Sequence, residues 1–223
     1  MAESSITDSL PSNSHADYAE IVVVRHGKTS WNSEGRVQGQ VDVELNETGR
    51  QQAIAVANRL YNEPKISIIY SSDLQRAFET AQIIATKCGG LKVVKDLDLR
   101  ERHMGNLQGL VYHELAKTNP MGYEALVSNN GDQELPGGGE SFVQLFERCK
   151  SALLRIGRKH KGERVVVVTH GASIETLYKW AGANGSYAGK IDNASIAIFH
   201  LYGEDQWTLK MWGDVSHLNH KGF

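Results

Sequence analysis

Two runs of consecutive β-branched residues, Ile21-Val22-Val23-Val24 and Val165-Val166-Val167-Val168, stand out from an otherwise mixed chain. An unbroken apolar run of this length predicts a strand buried on both faces. Ile66-Ser67-Ile68-Ile69-Tyr70 predicts another strand, residues 92–95 a short one, and residues 195–202 and 207–212 two more. Between them the apolar period lengthens. Asn46-Glu47-Thr48 reads as a helix start, followed by Ala53, Val56, Ala57 and Leu60 on one face. A helix over 74–87 has Ser71-Ser72-Asp73 as N-cap candidates and Gly89-Gly90 behind it. Helices over 140–159 and 173–180 complete the pattern. Strands alternating with helices of this length predict an α/β fold with a parallel or mostly parallel sheet. One domain is expected over 18–223, with a disordered polar tail over 1–17. Residues 105–139 form a less regular cap or insertion ending in Pro136-Gly137-Gly138-Gly139.

Composition narrows the function classes. The chain has 223 residues, 40% hydrophobic and 22% charged, with a formal net charge of −2, so neither nucleic acid nor an anionic membrane is an expected partner. An anion must then be held by a local cluster of cations. Two cysteines, Cys88 and Cys149, without CxxC spacing, argue against a disulfide framework or a zinc site. The first twenty residues carry Glu3, Asp8, Asp17 and Glu20 but no Lys or Arg, unlike a secretory or transit signal, and a cytoplasmic location is expected. No apolar run approaches the roughly 20 residues of a membrane span. Trp31 and Trp180 are expected in the core.

Both buried strands run into a histidine followed by glycine: Val24-Arg25-His26-Gly27 and Thr169-His170-Gly171. Ligands of open α/β sheets bind beyond the carboxyl ends of the strands. If the two strands are neighbours, both imidazoles enter one crevice. Arg25 and Arg76 supply cations, the latter in the first turn of a helix whose N-terminus already favours an anion. A phosphate bridging the two would explain an arginine there, although a surface pair with Glu79 is an alternative. Phosphoryl transfer needs charge neutralisation, an in-line nucleophile and a proton source. Arg25, Arg76 and His170 suit the first need and neutral His26 the second. The third requires a carboxylate; Glu101, after the strand-like Leu97-Asp98-Leu99, is the candidate, although sequence alone does not single it out from Glu44 or Glu140.

The motif Arg25-His26-Gly27-x-Thr29-x-x-Asn32 resembles the signature of the histidine phosphatase superfamily, the phosphoglycerate mutase-like proteins. So do Gln38-Gly39, Leu45-Asn46-x-x-Gly49, Ser71-x-x-x-Gln75-Arg76-Ala77-x-x-Thr80-Ala81, Leu99-Arg100-Glu101 and Thr169-His170-Gly171. The resemblance spans about residues 20 to 215. It implies a three-layer α/β/α sandwich, His26 as phosphorylated nucleophile and Glu101 as proton donor and later base. Arg25, Arg76 and His170 would form the phosphate pocket, with Asn32, Gln38, Gly39 and Gly171 beside it, and neither metal nor other cofactor is implied. Members often dimerise, which leaves a homodimer open.

Mutases of this family carry an Arg-Arg pair and a proline-rich stretch in the insertion, and Gly-Asn after the second histidine. Here Lys117 is the only Lys or Arg in 105–139, and Ala172 follows Gly171. Glu101-Arg102-His103-x-Gly105-x-Leu107-Gln108-Gly109, Pro136 to Ser141 and Asn193-Ala194-Ser195 are similar to the phosphatase branch, which includes metal-independent phosphoserine phosphatases. The expected substrate is therefore a small phosphorylated metabolite, with O-phosphoserine the first choice. His103 either contacts its amino-acid end or makes a structural hydrogen bond. The alternatives are a mutase and a non-catalytic phospholigand-binding protein. Gly27-Lys28-Thr29 mimics the end of a P-loop, but Val22 stands where that loop needs glycine.

Overall fold

A computed structural model describes residues 17–181 and 191–218. The tail expected over 1–17 lies outside them except for Asp17. Six strands form one sheet: β1 (Tyr18–Arg25), β2 (Ile68–Ser71), β3 (Val93–Lys95), β4 (Arg164–Thr169), β5 (Ile196–Tyr202) and β6 (Gln206–Asp214), in the order β3-β2-β4-β1-β5-β6. The first four in that order are parallel, and β5 and β6 join antiparallel at one edge.

The valine runs are explained by the layers on either side. Ile21, Val23, Val165 and Val167 point to one face, where they meet Leu145, Ala152 and Leu153 of helix α6 (Phe142–Lys159) and Ile174 and Leu177 of α7 (Gly171–Trp180). Val22, Val24, Val166 and Val168 point to the other. There they meet Val56 and Leu60 of α2 (Glu47–Tyr61) and Ala77, Ala81 and Ile84 of α3 (Gln75–Lys87). Alternate residues thus serve both cores, and no position in either run is free to be polar. The result is the expected three-layer α/β/α sandwich.

Residues 105–139 pack around a separate small cluster of Val37, Leu107, Leu115 and Leu135. This cap carries two short helices, α4 (Leu115–Thr118) and α5 (Pro120–Val127), and the one-turn α1 (Ser30–Ser33) lies across from it.

Three helix starts differ from expectation, and one of these is α7, which begins at Gly171 and not at 173. α3 begins one residue late, with Leu74 at its N-cap, and takes no side-chain cap from Ser71-Ser72-Asp73. Asp42 accepts from Gln75 N instead (2.6 Å), and Asp73 is taken by Arg100. α6 begins at Phe142 because Ser141 and Gln144 form a capping box, which outcompetes a start two residues earlier.

Candidate active site

β1 and β4 are adjacent, with Val24 opposite Val168 and Arg25 opposite Thr169. That register brings the two histidines together at the same sheet end. His26 N donates to Thr169 O (3.0 Å), and the His26 and His170 ring centroids are 5.1 Å apart. The backbone of α2 packs directly against the residue after His26, which only glycine allows, because a Cβ on Gly27 would stand 2.3 Å from Gly49 O.

His26 is 2% exposed, and its Nδ1 lies 2.7 Å from Gly27 O. A carbonyl only accepts, so Nδ1 carries the proton and Nε2 keeps its lone pair. Burial, reinforced by Arg76 and Arg25, holds this imidazole well below its ordinary pKa. His170 is fully buried and depressed for the same reasons, and neither of its ring nitrogens has a hydrogen-bond partner.

The cations are equally under-satisfied. Arg76 is fully buried; Nη1 donates to Val41 O (2.9 Å) and Nη2 to Gly39 O (2.7 Å), while Nε has no partner. Burial pushes it down to about 10. The surface pairing with Glu79 does not occur, because Glu79 binds Arg50 (2.6 Å). Arg25 donates from Nη1 to Ile191 O, and its buried Nε is also unpartnered. Buried guanidinium groups without carboxylate partners are unfavourable unless an anion completes them.

These groups border an open cavity of about 850 Å³. Arg25, His26, Arg76 and Glu101 reach its wall, as do Asn32, Gln38, Gly39 and Gly171; His170 packs against His26 without reaching the wall itself. Asn32 Oδ1 accepts from Thr29 N (3.1 Å) and Asn193 Nδ2 (3.2 Å), and Gln38 Oε1 accepts from the Thr29 hydroxyl (2.9 Å). Among the three carboxylates left open by sequence, only Glu101 borders this cavity. Glu140 is clamped by Arg148 (2.6 Å) and accepts from His103 N (2.7 Å), and Glu44 lies beside Arg50 with most of its side chain in solvent. Glu101 Oε1 accepts from Arg102 N (2.8 Å) and Oε2 from Ala172 N (3.3 Å), in the first turn of α7.

His103 does not reach the cavity. Its Nδ1 accepts from Gly105 N (3.2 Å), which fits the structural alternative at the hinge of the cap. Trp31 lies on the cavity wall rather than in the core, whereas Trp180 packs against Phe146 and Trp207. His217 is bonded to Ala194 O (2.9 Å), and His220 lies outside the described residues. Among the described residues no three His, Cys, Asp or Glu side chains group as metal ligands, and no helix is long and apolar enough to cross a membrane.

Three supporting residues, Arg148, Gln40 and Asn193, were assigned no role from sequence, although Asn193 lies in a motif noted above. Arg148 Nη2 and Gln40 Nε2 donate to the Glu101 carbonyl (2.8 and 3.0 Å), fixing the segment that carries the acid. Asn193 Nδ2 donates to His26 O (3.1 Å), and Ala194 N to Arg25 O (3.0 Å), so the turn before β5 ties down the end of β1. Ala194 adopts φ +60°, an unusual conformation for a residue with a side chain. The Asn193-Ala194-Ser195 motif was the available signal.

Comparison with known proteins agrees with this geometry. The family profile described as histidine phosphatase superfamily (branch 1) matches residues 21–215. Phosphoglycerate mutase-like protein 4 of Arabidopsis thaliana is 60% identical over 207 residues, covering 93% of this chain and 90% of that protein. A metal-independent phosphoserine phosphatase of the same plant is 49% identical over 208 residues, covering 93% and 87%. Among solved structures, a phosphoserine phosphatase of Entamoeba histolytica in complex with 3-phosphoglyceric acid superposes with a TM-score of 0.78 at 28% identity, covering 90% of this chain and 99% of that one. With a profile that runs from Ile21 in β1 past the last strand, the chain belongs to branch 1 of the histidine phosphatase superfamily.

Proposed function

We propose that this protein is a phosphomonoesterase that works without a metal, transferring the phosphoryl group of a small metabolite to His26 Nε2 and then to water. One observation carries this reading: a neutral, correctly oriented imidazole faces the cavity beside two buried arginines with unpartnered nitrogens. Arg25 and Arg76 would neutralise the equatorial oxygens. His26 Nε2 would form the new P–N bond as the P–O ester bond breaks, and Glu101 would give its proton to the departing alcohol. Water would then attack the phosphohistidine, with Glu101 taking its proton, releasing inorganic phosphate and free His26.

O-Phosphoserine is the preferred substrate within this reading, supported by the likeness to metal-independent phosphoserine phosphatase. A mutase reading rests on the printed name of the 60% identical relative. It requires a cradle for a second phosphoryl group. The cap itself offers Met104 and Tyr112, both uncharged, and Lys117 does not reach the wall; Lys28 and Arg36 do, but Arg36 is already engaged by Glu34 and by Gly109 O (2.9 Å). The deciding assay is run in EDTA with O-phospho-L-serine and, separately, with 3-phosphoglycerate plus a bisphosphoglycerate primer. Phosphate release from phosphoserine with little 2-phosphoglycerate formed is the expected result. Isomerisation that outruns phosphate release would make the chain a mutase.

A further inference from the structure

The cavity wall carries a carboxylate for which the phosphoryl chemistry above has no use. Glu175, on α7, borders the cavity half-buried and has neither a hydrogen bond nor an ion pair among the described residues. The other acids on the wall are placed differently: Glu101 accepts two backbone N–H groups, and Asp192 is exposed. Burial raises the Glu175 carboxyl, and the negative charge of Glu101 raises it further; Arg25 and Lys179 act in the opposite direction and do not cancel the effect. Neither cation is committed to it. Arg25 donates to Ile191 O, and Lys179 Nζ lies 5.4 Å from the centre of the Phe142 ring.

A half-buried carboxylate without a partner is costly, and it becomes costlier when a phosphate dianion takes up Arg25. Glu175 therefore works against an anionic group placed beside it, whatever Lys28 and Arg36 elsewhere on the wall can accept. A cationic group on the substrate reverses the sign. The unpartnered nitrogens of Arg25 and Arg76, both on the cavity wall, mark where the phosphoryl group goes, so Glu175 is left for the remainder of the molecule.

We infer that Glu175 determines specificity by receiving an ammonium group, so that the cavity selects phosphomonoesters of amino alcohols and amino acids over phosphorylated acids lacking nitrogen. This rests on the phosphatase reading and names the substrate class that follows from it.

The test compares Glu175→Gln with wild type on O-phospho-L-serine, 3-phosphoglycerate and p-nitrophenyl phosphate. The ratio of kcat/KM for phosphoserine to that for p-nitrophenyl phosphate is expected to fall roughly 10- to 100-fold, the cost of losing a charged hydrogen bond. The ratio for 3-phosphoglycerate to p-nitrophenyl phosphate is expected to rise. An unchanged phosphoserine ratio would overturn the inference, whether all three activities fall together or none does. A second comparison needs no variant: wild type should prefer phosphoethanolamine to ethyl phosphate, which lacks the ammonium, and equal turnover of the two also overturns it. Wild type that hydrolyses p-nitrophenyl phosphate but fails these comparisons leaves the phosphatase reading standing. Wild type that hydrolyses none of these esters removes both.

Discussion

The two ends of the parallel strands bury similar side chains and treat them in opposite ways. At the amino ends, Arg164 is 4% exposed and lies within ion-pair distance of Glu20 and Glu63 (3.0 and 2.5 Å). His200 Nε2 meets Glu20 (2.9 Å), and His160 lies between the Tyr70 hydroxyl (2.9 Å) and Glu163 (3.1 Å). At the carboxyl ends, Arg25, Arg76 and His170 retain buried nitrogens with neither a hydrogen bond nor an ion pair among the described residues, whereas Arg164 Nε, which also makes no hydrogen bond, has the Glu20 carboxylate 3.0 Å away. Buried charge that is matched is structure. Buried charge that is unmatched is binding capacity held ready, maintained by the rest of the fold.

The contrast is broken most forcefully at His26. His26→Ala removes the attacking nitrogen while leaving both arginines, so turnover should fall by on the order of 10⁴-fold or more. Binding of inorganic phosphate, measured by calorimetry, should persist. Retention of full activity by this variant would end the phosphohistidine mechanism. Acid-labile, base-stable phosphate on wild type but not on the variant would support it directly.

A smaller effect, of a different kind, is expected at the amino ends. Arg164→Met takes away the cation that Glu20 and Glu63 share and leaves their carboxylates partly buried. Breaking such a pair costs about 3–5 kcal/mol, although Glu63 keeps Arg59 (2.7 Å), which points to the low end. The denaturant midpoint should drop accordingly, with kcat/KM per folded molecule unchanged. If activity fell in proportion to nothing but catalysis, with the midpoint intact, the division between the two ends would be mistaken.

Much of the floor of the site was legible in sequence because strand-end positions are set by periodicity. Two apolar runs of equal length, each ending in His-Gly, place both imidazoles once β1 and β4 pair. Arg76 followed from its position in the first turn of α3. The acid was less legible: residue pattern alone did not separate Glu101 from Glu44 and Glu140, the family resemblance pointed to Glu101, and tertiary contacts support that choice by assigning Glu140 to Arg148 and putting Glu44 in solvent. Trp31 departs from its expected place in the core, and His103 stayed open between two readings, for a related reason. Whether a side chain on an irregular segment faces a cavity depends on loops such as 100–110, where glycine conformations and long-range hydrogen bonds replace a repeating pattern. Arg148 belongs to the same class, since nothing on one helix face announces that its guanidinium will bond the carbonyls of Asp98, Arg100 and Glu101.

The smallest effect sharpens the comparison through pH. His26 and His170 are held well below their ordinary pKa by burial and by the nearby arginines. A depressed histidine binds its proton more readily in the unfolded chain, so folding stability should fall as pH drops below the unfolded value near 6.5. Each such histidine contributes up to about 1.4 kcal/mol per pH unit until its folded pKa is reached. The carboxylates held low by arginine, such as Asp73 and Glu140, lose their contribution only below the ordinary carboxylate range, so between pH 6.5 and 5 the histidines dominate. Urea unfolding across that window should show the loss. Saturating inorganic phosphate should flatten it, because an anion between Arg25 and Arg76 offsets the charges that disfavour protonation. A partnered histidine gains nothing from phosphate. A slope that ignored the anion would therefore place the titrating groups at the matched end of the sheet, not at the end where nitrogens stand unpaired.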